Sequence, residues 1–223
     1  MIRSTFVFLT LFSSALSACA NGIDHRLSSF IANGTTLTHE GKLYSNFSGE
    51  ILFNSGDSTP TTLDDIEVFT TTGGIKFQGD FSVNGNGFLN IMLGYTVETI
   101  QANMEIAGVG LSFDAATSGD GEAAVVEGLL DMNDTLVGKM SVSADQFFVD
   151  LEDPPLDPME QDDTPLTGPQ TKLNVTKTVL LSALSGTSSF SMINQTFEMR
   201  VIPEPATLVL AGFACLAPLG RRG

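Results

Sequence analysis

The sequence predicts an all-β fold, an antiparallel β-sandwich built on a single core, and three observations carry that reading. Apolar residues between Lys42 and Ile202 recur with period two, the spacing of a strand with one buried face. Turn signals rich in Gly and Asn punctuate those runs at short intervals. The middle region carries no long helical stripe, only a short one near Leu27–Ile31.

Taken in order, KLYSNFSGEILF sets Leu43, Phe47, Ile51 and Phe53 on one side of a strand. FLNIMLGYTV alternates without a break, so Leu89, Ile91, Leu93, Tyr95 and Val97 face together. In IQANMEIAGVGLSF the phase switches after Ile106. Ile100, Met104 and Ile106 share one face, then Val109, Leu111 and Phe113 the other. Gly108 between them predicts a bulge, or a corner where the strand changes sheets. TLVGKMSVSA turns Leu136, Met140 and Val142 inward, and KLNVTKTVLL does the same for Leu173, Val175, Val179 and Leu181. SMINQTFEMRV adds Ile193, Phe197, Met199 and Val201. Turns are expected at Gly73-Gly74, across NGNG at Asn84 to Gly87, and at Asp120-Gly121, Asn133-Asp134 and Ser185-Gly186. Asn and Gly supply the positive φ that tight turns require.

The chain has 223 residues, a hydrophobic fraction of 42% and a net charge of −16. That length suits one domain with a sizeable core. Setting aside residues 1–20 and 203–223 removes Arg3, Arg221, Arg222 and Glu204, leaving 25 acids and 7 bases. Such a surface lacks the basic footprint that binding nucleic-acid phosphates needs, so nucleic acid is excluded as a partner. Cys19 and Cys215 both lie in terminal apolar segments. Residues 21–202 therefore hold no thiol, which excludes a disulfide scaffold, a thiol catalyst and a zinc-thiolate site there.

Residues 1–20 read as a secretory signal peptide: Arg3, an apolar stretch from Phe6 to Leu16, then small residues. Two cleavage readings are open. Ala18-Cys19-Ala20 fits the small-x-small rule and gives a mature start at Asn21, as a signal peptidase would leave it. Leu16, Ser17, Ala18 and Cys19 resemble a lipobox, which would put a lipidated Cys19 first. At the other end, 206–219 is an uncharged run expected to be a hydrophobic helix. At about 1.5 Å per residue it reaches roughly 21 Å, short of a hydrocarbon core of about 30 Å. Arg221 and Arg222 follow, where the positive-inside tendency sets the cytoplasmic end. The segment suits transient engagement with a membrane.

Pro203, Glu204 and Pro205, then an apolar segment, then Arg221 and Arg222, resemble the PEP-CTERM sorting signal of exported bacterial proteins. The same kind of tail is also labelled an ice-binding protein C-terminal domain, but TPTTLDDIEVFTTTGG lacks the regular threonine array that ice binding would require. The resemblance implies recognition at 203–205 by a membrane-embedded exosortase, a stop signal at the arginines, and release or transfer to the cell surface or extracellular matrix. It makes 21–202 the ectodomain. LSSFIANGTTLTHEGKLYSNFSG and LNVTKTVLL…INQTFEMRVIPEP further resemble a recurrent ectodomain of such proteins, a group with no assigned activity. Leu37 stands where that group often has a cysteine.

Among candidate chemistries, DLEDPPLDPMEQDDTP at 150–165 is the conspicuous local feature. Asp153, Asp157, Glu160, Asp162 and Asp163 are candidate Ca2+ ligands, since calcium takes several carboxylate oxygens in flexible geometry. The plain alternative is a solvated loop between strands, extended by proline and self-repulsion. Asp57, Asp64 and Asp65 offer a weaker version of the same pattern. No GxSxG, P-loop, dinucleotide or HExxH motif occurs. His25 and His39 have no ligand spacing, and the Asn-x-Ser/Thr sites at Asn33, Asn46, Asn133, Asn174 and Asn194 suit a polar β surface. The expectation is an exported structural protein with no enzymatic activity. A surface module binding calcium or a surface polysaccharide, through the acidic loop 150–165 or the sandwich end loops, is the alternative.

Overall fold

The computed structural model describes residues 24–144 and 161–202. After a short helix, α1 (Leu27–Asn33), come β1 (Leu37–His39) and β2 (Lys42–Thr59). A 3-10 turn (Leu63–Asp65) leads to β3 (Glu67–Thr71), β4 (Gly74–Thr99) and β5 (Met104–Ser118). The chain continues through β6 (Glu122–Leu130), β7 (Leu136–Ala144), β8 (Gln161–Gln170), β9 (Lys172–Ala183) and β10 (Thr187–Val201). The helix follows from the one apolar stripe of helical spacing: Leu27 and Phe30 are buried, and Gly34 ends it in the left-handed conformation at φ 60.

The strands pair antiparallel in the order β7-β6-β9-β4-β10-β5-β8, and β4 belongs to both layers of the sandwich. Its second half pairs with β9 on one side and β2 on the other. Its first half pairs with β10 and β3. The two ends of the path meet through side chains. Asp162 Oδ2 accepts from Ser141 N–H at 2.9 Å, and Thr164 Oγ1 donates to the Lys139 carbonyl at 3.4 Å, so the sheet curls until it nearly closes.

The NGNG segment makes that double membership possible, but not as the predicted turn between strands. Asn84 to Gly87 lies inside β4, where Gly85 takes φ 61 and the strand bends from one layer to the other. Gly56 of β2, at φ 69, turns the same corner beside it. A Cβ there would meet the Asn86 carbonyl oxygen at 2.3 Å. Gly73-Gly74 and Asn133-Asp134 do close the β3–β4 and β6–β7 hairpins, while Asp120-Gly121 and Ser185-Gly186 carry the chain between layers.

The predicted inward residues of FLNIMLGYTV and KLNVTKTVLL are all buried. Bulges redraw three other faces. Asn46, at φ 53, shifts the β2 register, so Lys42 and Tyr44 face inward before it and Phe47 after it. Leu43 is thus off the core face. A second shift between Ile51 and Phe53 leaves Phe53 54% exposed. In the β6–β7 pair, a shift next to Leu130 buries Val137 and turns Leu136 outward. The predicted irregularity at Gly108 is a bulge that skips Ala107. It lets Ile106 and then Val109, Leu111 and Phe113 all reach the core, while β10 remains the partner on both sides. Ile100 and Val201, at strand ends, are exposed.

The core is one cluster running from Leu27 and Phe30 to Phe197, rich in Phe, Val, Leu and Ile. Each large apolar side chain buried there, such as Phe77 or Phe81, contributes about 1.5–3 kcal/mol. The second part of the acidic segment is strand rather than loop. Pro165 and Pro169 sit in β8, whose only backbone partner strand among the described residues is β5, so a missing N–H breaks no second ladder there.

Candidate functional site

Three strands each set one long polar side chain between apolar residues on the inner face. On β9, Lys177 stands between Val175 and Val179; on β6, Glu127 between Val125 and Leu129; on β10, Gln195 between Ile193 and Phe197. All three are fully buried. Lys177 and Glu127 are direct cross-strand partners, while Gln195 reaches them from the opposite layer, where it is flanked by Ile75 and Leu111.

Lys177 Nζ donates to Glu127 Oε2 and to Gln195 Oε1. Gln195 Nε2 donates in turn to the Gly110 carbonyl at 2.9 Å. Glu127 Oε1 has no hydrogen-bond partner among the described residues. Burial drives the Lys177 amine well below the usual lysine range, because the charged form loses its hydration. A neutral buried amine is a nucleophile, whereas an ammonium is not.

On the outside, β5, β8 and β10 form a groove of about 260 Å³. Gly108 and Gly110 make its floor, and Asp163, Thr164, Pro165, Thr196 and Glu198 its walls. Gly110 leaves room for the walls: a Cβ on it would lie 2.4 Å from Asp163 Oδ1 and 2.5 Å from Thr196 Oγ1.

A second outer feature lies on β2 and β4, where Phe53 and Phe88 pair with ring centroids 5.6 Å apart. Phe53, Leu52 and Met92 are exposed around it, and Asn90, the register partner of Phe53, carries a buried side-chain oxygen with no partner among the described residues.

Of the predicted calcium ligands, Asp162 and Asp163 are adjacent on β8 and so point to opposite faces. Asp162 binds the Ser141 N–H, and Asp163 lines the groove, where its Oδ2 accepts from Gln161 Nε2 at 2.9 Å. The strand thus separates two carboxylates that the sequence reading had grouped. Asp153, Asp157 and Glu160 lie outside the described residues, as do Leu16, Ser17, Ala18, Cys19, Pro203, Glu204, Pro205, Arg221 and Arg222. Asp64 accepts from Ser28 Oγ, and Asp65 caps the 3-10 turn at Thr62. No cluster of three or more His, Cys, Asp or Glu side chains suited to a metal ion occurs among the described residues. His25 donates from Nδ1 to the Val68 carbonyl at 3.0 Å and stacks on Phe69.

The interior trio is absent from the sequence reading. Its signal was there to find: the alternation of KLNVTKTVLL passes through Lys177, and that of SMINQTFEMRV through Gln195.

No known protein family matches the sequence, and no curated protein does. Among solved structures, TmCBM61 in complex with β-1,4-galactotriose is 9% identical with a TM-score of 0.32, over 68% of this chain and 88% of its own. The enzymatically active domain of tailspike protein 4 of bacteriophage CBA120 is 10% identical, also with a TM-score of 0.32. It covers 71% of this chain, which spans 20% of the tailspike's length. The C-terminal CBM6 of LamC, a marine laminarinase of Zobellia galactanivorans, is 12% identical with a TM-score of 0.21, over 68% of this chain and 99% of its own. At such scores these likenesses say nothing of ligand or activity. The sandwich stands on its own strand pairing.

Proposed function

We propose that this chain is an exported structural β-sandwich of the bacterial cell surface or extracellular matrix, released from or transferred across the membrane by exosortase-type processing at Pro203–Pro205. One observation supports it above the others. Among the described residues, the last backbone hydrogen bond runs from Ile202 N–H to the Asn103 carbonyl at 2.7 Å, and the Pro-Glu-Pro motif starts at the next residue. At the other end, the first strand bridge among the described residues is Arg26–Glu67, downstream of the expected cleavage after Ala20. The pairing among the described residues falls between the two expected cleavage points, which is what processing at both ends requires of the sandwich. Mass analysis of both ends of the mature protein tests this.

A second reading, a surface module for polysaccharide, is favoured by the Phe53–Phe88 pair. An exposed aromatic face set among Asn90, Glu50 and Ser182 matches the mix of apolar ring faces and hydroxyls on a sugar. Retention of the purified chain on immobilised host polysaccharide, lost in Phe53→Ala without loss of fold, would establish it. Equal retention of the variant would remove it.

A further inference from the structure

Lys177, Glu127 and Gln195 bring a primary amine, a carboxyl group and a carboxamide into mutual contact inside the core. These are the parts of an amide-exchange reaction: a nucleophile, an acyl group and a proton carrier. We infer that Lys177 and Gln195 become joined by an amide bond between Nζ and Cδ, with loss of ammonia and with Glu127 as the proton carrier.

The step balances as follows. A proton passes from the ammonium to Glu127, leaving a neutral amine beside a carboxylic acid. The amine attacks Gln195 Cδ, and the carbonyl electron pair moves to Oε1 in a tetrahedral intermediate. The second amine proton travels through Glu127 to the departing nitrogen. The Cδ–Nε2 bond then breaks and NH3 leaves. The product is a secondary amide whose N–H remains for Glu127 to accept, and no oxidant, reductant or outside reagent is consumed.

Geometry and environment favour this outcome. The amine already touches the oxygen of the carboxamide it would attack, and the fold holds both in place, which removes the entropy of encounter. The bond from Gln195 Nε2 to Gly110 fixes which end of the carboxamide faces Lys177. Full burial excludes the water that would compete as nucleophile. Burial also favours the uncharged amine. The bond would tie β9 to β10, strands of opposite layers with no hydrogen-bonded ladder between them, in a domain where residues 21–202 hold no cysteine.

The test is a tryptic digest of the denatured, previously folded full chain, followed by mass spectrometry. Trypsin cuts after Lys172 and Arg200, and after Lys177 only if its amine is free. The amide predicts a single peptide, 173–200, uncut at Lys177 and about 17 Da lighter than its sequence, the mass of ammonia. Chymotryptic cleavage between Lys177 and Gln195 should leave two pieces still joined. Glu127→Gln keeps the shape of the side chain and removes the proton carrier, so its digest should yield 173–177 and 178–200 as separate peptides. Separate peptides of unaltered mass from the folded wild type would overturn the inference and leave an ordinary buried ion pair. If the Glu127→Gln chain does not fold, the wild-type digest decides alone. A cross-link formed in full by that variant would overturn the role given to Glu127.

Discussion

Glu127 and Lys177 stand directly opposite one another on β6 and β9, both side chains inward and both fully buried. A charge left there without its partner has neither water nor a counter-ion. Glu127→Ala should therefore cost about 3–5 kcal/mol, and more if the covalent tie is lost with it. The half-exposed pair Lys172–Glu98, at 3.4 Å, is the internal control, and Glu98→Ala should cost about 1 kcal/mol or less. Urea unfolding of both variants checks the contrast, and similar losses would contradict it.

Asp120 holds the Ser185-Gly186 turn. Its carboxylate accepts from the backbone N–H groups of Ser185 and Gly186, both at 2.8 Å, and of Leu184 at 3.1 Å. The Ser185 N–H is the largest cause lowering its pKa to about 2 from the usual 3.8. A folded pKa below the unfolded one means this carboxylate stabilises the fold above about pH 3.8 and loses that contribution as pH falls towards 2. Asp120→Asn should lower Tm at pH 7 by a few degrees, and the gap to wild type should close by pH 2. A gap independent of pH would contradict this assignment.

Tyr95 is buried with its hydroxyl lacking a partner among the described residues, and burial pushes its phenol well above the usual range. Removing an unsatisfied hydroxyl while keeping the ring should be neutral or stabilising. Tyr95→Phe is predicted to match or exceed wild-type stability, and a loss beyond about 1 kcal/mol would show a hydrogen bond that this account omits.

Gly74 and Gly85 both lie in β4 but differ in what surrounds them. A Cβ on Gly74 would sit 1.6 Å from the Gln195 carbonyl oxygen, which is backbone in a paired strand, whereas nothing lies within 4 Å of one on Gly85. Gly74→Ala should cost about 3 kcal/mol or more through displacement of β10. Gly85→Ala should cost about 1 kcal/mol, the strain of its φ of 61. Equal effects would place the β4–β10 contact wrongly.

Period two made the strands legible, and the uninterrupted runs at Leu89–Val97 and Leu173–Leu181 were assigned to the right face. The faces that went wrong lie next to bulges. A single extra residue, Asn46 on β2 or Val137 on β7, puts Leu43 and Leu136 off the face that Phe47 and Met140 keep as predicted. At Gly108 a glycine marks the bulge, and there it was foreseen. NGNG looked like a hairpin because local residue chemistry gives positive φ without saying whether the chain reverses or bends. The interior trio escaped because its members come from β6, β9 and β10, and only the folded layers bring them together. The acidic segment misled in a different way: alternation along β8 parts Asp162 from Asp163, which adjacency in sequence had joined.

The most direct test of the account is an intact-mass and terminal-peptide measurement on the mature protein from its native host. The predicted result is a chain starting at Asn21 and ending near Pro203–Pro205, with the sandwich through Ile202 complete. A chain that still carries 206–222 would contradict exosortase processing and make the protein a membrane-anchored ectodomain. A lipidated Cys19 would contradict the start at Asn21 and move the anchor to the other end.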